Sequence, residues 1–123
     1  MFDHDADHVV GGDPEALKAL IQSLQKEVYA ADHLVDLSTS FSAVANTNRL
    51  RILYALSQTN ELCVGDLAHI LKISYPAVSN HLKKLRQASL VDFRREAQKV
   101  YYYVPEDNRF FRILTQLFEK PQE

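Results

Sequence analysis

Seven basic side chains fall within one stretch of this chain: Lys72, Lys83, Lys84, Arg86, Arg94, Arg95 and Lys99, against only Asp92 and Glu96. That stretch carries +5; since the whole chain carries -2, the remainder carries -7. The first 36 residues alone hold eight acids and two bases. Such polarity suits one face that meets a polyanion and another held away from it. A solvated charge run is the plainer alternative on charge alone. Other chemistry has little to work with. Cys63 is the one cysteine, so neither a disulfide framework nor a CxxC metal or redox motif exists. Nucleophilic catalysis would need a base beside Cys63, and no spacing supplies one. Three glycines, two of them adjacent, make no phosphate-cradling loop. An enzyme is not expected.

Those cations need elements that present them together. Asp13 followed by Pro14 reads as a helix N-cap with proline at the first helical position. Leu17, Leu20, Ile21, Leu24 and Val28 then repeat at helical spacing, and after a break near Ala30–Asp32 the pattern resumes from Leu34 to Val44. Asn46 caps a third helix with Leu50, Leu53 and Tyr54 on one face. Val64, Leu67, Ala68 and Leu71 mark a short amphipathic helix, and Lys72-Ile73 a tight connection. Ser74 caps the next helix, with Pro76 in its first turn and Val78, Leu82 and Leu85 as its buried stripe. After Ala88 the period changes: 89–95 and 99–104 are rich in β-branched and aromatic residues around a tip at Glu96-Ala97-Gln98, which reads as a β-hairpin. Phe110, Leu114, Leu117 and Phe118 give a last helix. The order α-α-α-α-α-β-β-α is mainly α with a small β-hairpin, a winged helix-turn-helix. Residues 1–12 are expected to be an acidic, histidine-containing flexible tail. Residues 13–123 are expected to be one domain that binds DNA and dimerises.

In such a fold, 64–71 braces and 75–87 reads the major groove, whose width admits a helix. The buried stripe leaves Ser74, Tyr75, Ser79, Asn80, Lys83 and Lys84 for DNA. Asn pairs with adenine, Ser and Tyr donate or accept, and lysines suit phosphate or guanine. Arg94, Arg95 and Lys99 cluster near the wing tip, within reach of a neighbouring phosphate strand. His81, at the edge of the buried stripe, is expected to be a satisfied structural histidine rather than a base contact. Tyr101, Tyr102 and Tyr103 alternate faces and are expected to pack the strand. At 123 residues with 46% apolar and 24% charged side chains, the chain is one ordinary globular domain. No apolar run is long enough for a membrane span. The acidic N-terminus is unlike a secretory signal, and the single cysteine suits a reducing cytoplasm.

The segments ANTNRLRIL (45–53), ELCVGDLA (61–68), SYPAVSNHLKKL (74–85) and VYYYV (100–104) resemble the ArsR/SmtB family of metal-responsive winged-helix repressors. The resemblance spans about 45–118. It implies a homodimer held by its first and last helices on a palindromic double-stranded operator, and repression relieved by an effector. It also implies a metal site on Cys63 and Asp66, completed by the tail, where His4 and His8 stand, with zinc or another divalent transition metal as the ligand. Gly65 stands where arsenic and lead sensors of the family carry a second cysteine, so a three-thiolate site is not expected. Residues 104–123 hold no histidine, so the family's other site, across the last helices, is not expected either. Cys63 as a small buried hydrophobe, or as an oxidant-sensing thiol, stays open beside the metal reading.

Overall fold

The computed structural model describes residues 12–120, so His4 and His8 lie outside the described residues. The described chain divides into two units, one ending at Val35 and the other beginning at Asp36. The first unit holds α1 (Pro14–Ala30) and the start of α2 (His33–Val44). Asp13 caps α1 by accepting from the Glu15 N–H at 3.0 Å, and Pro14 opens the helix as expected. None of the α1 residues is buried.

The second unit holds the core. α3 (Thr47–Gln58) starts at Asn46, whose side chain accepts from the Arg49 N–H at 3.0 Å. Its buried residues are Ile52, Leu53 and Leu56. Tyr54, expected on the inner face, is 49% exposed and meets Phe118 edge-on at 5.6 Å. α4 (Val64–Leu71) and α5 (Tyr75–Gln87) follow. Between them Lys72 adopts the left-handed conformation (φ 58°), and its N–H returns to the Ala68 carbonyl. That closes α4 and lets the chain turn sharply into the Ser74 cap, which accepts from Ala77 N–H at 3.2 Å. Val78, Leu82 and Leu85 are fully buried, as their spacing requires. Each such burial contributes roughly 1.5–3 kcal/mol before entropy is counted.

The hairpin is shorter at its start than expected. Ser89 is left-handed (φ 61°) and ends α5, and Leu90 and Val91 are both buried. Two consecutive buried side chains do not fit a strand's alternation, so these residues plug the core and the strand begins later. β2 (Asp92–Glu96) and β3 (Lys99–Tyr103) then pair with Phe93 opposite Tyr102 and Glu96 opposite Lys99. A third strand, β1 (Leu62–Cys63), pairs with β3 to give the sheet order β1-β3-β2. It was not expected, because two residues carry no period.

α6 (Arg109–Gln116) is capped by Asn108, which accepts from Phe111 N–H at 2.8 Å and donates to the Ser89 carbonyl at 3.1 Å. The helix therefore anchors on the turn between α5 and β2. Leu114 is buried, whereas Leu117, expected in the inner stripe, follows the helix end and is 76% exposed. No helix among the described residues is long and apolar enough to cross a membrane.

Candidate nucleic-acid interface

With its apolar stripe turned inward, α5 exposes Tyr75, Ser79, Asn80, Lys83 and Lys84, while the Ser74 cap lies at its entrance. The two lysines diverge because successive helical residues lie about 100° apart. Lys83 lines a groove of about 510 Å³ between α5 and the sheet, with Ser79, Arg86, Gln87 and Tyr102. Lys84 lines another, of about 560 Å³, with Ser38, Ser42 and Arg49 among its neighbours. His81 is half-buried, and its Nδ1 lies 3.3 Å from Arg49 Nη1. Burial first, then the charges of Arg49 and Lys84, push its pKa below the usual histidine value. It packs against Arg49 of α3 rather than standing on the exposed face of α5.

The wing differs from expectation. Arg95 and Lys99 are exposed and carry no ion pair among the described residues. Arg94 does not stand free beside them. Its Nε donates to Glu61 Oε1 at 2.9 Å, its Nη2 to Glu61 Oε2, and its Nη1 to Glu96 at 3.3 Å. The Arg94 hydrogen bond holds the Glu61 carboxyl below the usual carboxylate range, and the same contact raises the Arg94 guanidinium. Arg86, counted in the charge run but not placed at the interface by sequence reasoning, lies 4.3 Å over the Phe93 ring and 3.6 Å from Asp92. Its signal was its spacing, three residues beyond Lys83 on the same helical face.

Cys63 lies just outside the helix that carries Asp66. It is the extended N-cap of α4 (φ -86°, ψ 167°), and Asp66 stands at the third helical position in capping-box geometry. The Cys63 N–H donates to Asp66 Oδ2 at 3.4 Å. Hydrogen bonds from the Cys63 side chain and backbone, in that order, hold the Asp66 carboxyl low, aided by the charges of Lys99 and His69. The pair is therefore adjacent by a different route, and Cys63 belongs to the sheet as much as to the helix. Among the described residues no group of three or more His, Cys, Asp or Glu side chains is placed to hold a metal ion. Cys63 and Asp66 offer two donors of the four that a tetrahedral zinc site uses. Beside them, Gly65 has no side chain, and a β-carbon there would collide with the Tyr75 hydroxyl. Tyr75, expected at DNA, thus rests its hydroxyl against the first turn of α4 while staying 60% exposed.

Residues 46–92 match the family model of bacterial regulatory proteins of the arsR family. The chain is 38% identical over 103 residues to a transcriptional repressor SmtB homolog of Synechocystis, covering 84% of this chain and 76% of that protein. It is 33% identical over 95 residues to a CadC homolog of Staphylococcus aureus, a cadmium resistance transcriptional regulatory protein, covering 77% and 74% respectively. Among solved structures, the homodimeric winged helix-turn-helix DNA-binding domain from Mycobacterium bovis superposes with a TM-score of 0.65 at 31% identity, over 72% of this chain and 83% of that one.

Proposed function

This chain belongs to the ArsR/SmtB family of bacterial transcriptional regulators and is not an enzyme, and from that premise we propose that it represses transcription as a homodimer on a palindromic operator. The observation that carries the reading is the orientation of α5. Val78, Leu82 and Leu85 are fully buried, so Ser79, Asn80, Lys83 and Lys84 have only the outward face to occupy. A helix that is rigid on one side and polar on the other is what the major groove accepts. Asn80 and Ser79 would choose sequence, and Tyr75, whose hydroxyl rests against α4, would add only ring contact. Ser74, Lys83, Lys84, Arg95 and Lys99 would hold the backbone. The compartment this reading requires is the cytoplasm.

The dimer reading is supported by two apolar surfaces. Ile21, Leu24 and Val28 on α1 are 48%, 42% and 56% exposed, and Ile113 and Leu117 at α6 are 54% and 76% exposed. Faces of this kind mark association sites, and a second copy of this chain is the occupant proposed for each. The homodimeric relative from Mycobacterium bovis supports the same assembly.

The effector reading is a divalent transition metal, zinc or cadmium, held by Cys63 and Asp66 with His4 and His8. The adjacency of the first two supports it, as do relatives named for SmtB and for cadmium resistance. A thiolate, a carboxylate and two imidazoles form a donor set suited to zinc. A bound cation would supply the charge that joins the tail to the start of α4. The chain's own part is mechanical: α4 braces the reader, so a tail tied to α4 biases the spacing of the two readers toward the DNA-free form.

A gel shift on the upstream region of its own gene tests the reading. Titration with zinc or cadmium is expected to release the DNA, and Cys63→Ser to bind DNA normally but fail to release. Release that persists in Cys63→Ser puts the effector site elsewhere. Release by a thiol oxidant alone favours oxidation of Cys63 instead. Absence of any duplex binding removes the whole reading.

A further inference from the structure

The strand register sets Cys63, Tyr101 and Arg94 in one row across the sheet, on the same face. Arg94 lies 4.8 Å over the Tyr101 ring and reaches past it, across β3, to Glu61, two residues before Cys63. Glu61 takes two of its nitrogens and Glu96 the third. One cation is thus shared by two carboxylates, and the cluster as a whole is negative, on a wing whose expected partner is a polyanion. Arg94 remains accessible, with 42% of its side chain exposed.

We propose that Glu61 withholds Arg94 from DNA: it occupies the guanidinium fork that a backbone phosphate would otherwise take. The proposal rests on the DNA-binding reading above. Its physical basis is that a carboxylate and a phosphate present the same paired oxygens to arginine, so the two compete for one fork. An ion pair open to solvent is weak enough for such competition to be settled by a single charge. The wing's working cations are then Arg95 and Lys99. Affinity is held below what seven basic residues allow. The same contact ties the wing to Glu61, which immediately precedes β1, the strand that ends in Cys63 and leads into α4. A shift of β1 against β3 therefore changes whether Arg94 is available to DNA.

The test is duplex affinity as a function of salt, on the full chain, for wild type, Glu61→Gln, Glu61→Ala, Arg94→Ala and the double variant Glu61→Gln/Arg94→Ala. Freeing one phosphate contact steepens the log-affinity against log-salt slope by about 0.9, which corresponds to roughly fivefold tighter binding at 0.15 M salt. Both Glu61 variants are expected to show this gain. Arg94→Ala in the wild-type background is expected to keep the wild-type slope, and the double variant to lose the gain. Unchanged or weaker binding in both Glu61 variants overturns the proposal, as does a shallower slope in Arg94→Ala alone. Lys83→Ala is the separate control. If it flattens the slope while the Glu61 variants do nothing, DNA binding stands and the withholding of Arg94 falls. If no variant, Lys83→Ala included, alters the slope, the DNA-binding reading falls with it. Melting curves of every variant show that the wing is folded.

Discussion

Arg49 and His81 face one another across the junction of α3 and α5, with Nη1 and Nδ1 3.3 Å apart. The guanidinium has only donors, so the imidazole accepts at Nδ1 and carries its proton at Nε2. Arg49 also donates through Nε to the Ala43 carbonyl at the end of α2. One side chain thus fastens the reader helix to two others. A second proton on His81 would set two cations face to face.

That geometry has a pH signature. The His81 pKa is lower in the folded chain than the unfolded value of about 6.5, first through burial and then through Arg49 and Lys84. The unfolded chain therefore binds the proton more readily. Stability is full above about pH 6.5 and declines as the pH falls from there to the folded value. Urea midpoints measured from pH 8 to pH 5 are expected to show this decline, and His81→Gln is expected to flatten it. A decline of the same size in His81→Gln would assign it to other groups.

Lys83→Ala is expected to weaken binding to all duplexes alike and to reduce the salt slope by about one unit. Asn80→Ala is expected to behave differently, losing roughly 1–3 kcal/mol of preference for operator over unrelated duplex with the slope unchanged. Equilibrium titrations on both duplexes separate the two roles.

Leu82 is fully buried at the centre of the α5 stripe. Leu82→Ala leaves a cavity in the core cluster as well as removing surface burial, and is expected to cost about 2–5 kcal/mol. Urea denaturation reads that loss directly. DNA affinity measured at low temperature, where the variant stays folded, shows how far a loosened reader loses its groove.

Gly65→Ala is expected to stabilise the chain by about 0.5–1 kcal/mol, since alanine is the better helix former. The atom in its way is the end of an exposed tyrosine side chain, which swings aside. A melting temperature raised by a few degrees supports this. A lowered one shows that Tyr75 is held in place.

Leu24 lies in the exposed stripe of α1. Leu24→Glu sets a charge where a second copy would pack, and is expected to shift the chain toward monomer in sedimentation velocity and to weaken binding to a palindromic duplex. Unchanged sedimentation would mean that the α1 stripe is not the dimer surface.

Much of this molecule is legible in its sequence, because it is encoded locally. The caps Asp13, Asn46 and Ser74 act within three residues of themselves. The stripe Val78-Leu82-Leu85 needs only helical periodicity to be read, and the hairpin only its change of period. From those the winged helix-turn-helix follows, along with the outward polar face of α5. What tertiary structure alone decided lies in contacts between distant segments. β1 exists because Leu62 and Cys63 find Tyr102 and Tyr101, about forty residues on. That pairing moves Cys63 off the helix and into its cap. The same sheet brings Glu61 under Arg94, turning an expected phosphate contact into a neutralised one. Periodicity reports which face a side chain takes. It carries no information about which charge waits on that face, because the partner comes from a strand folded in from elsewhere.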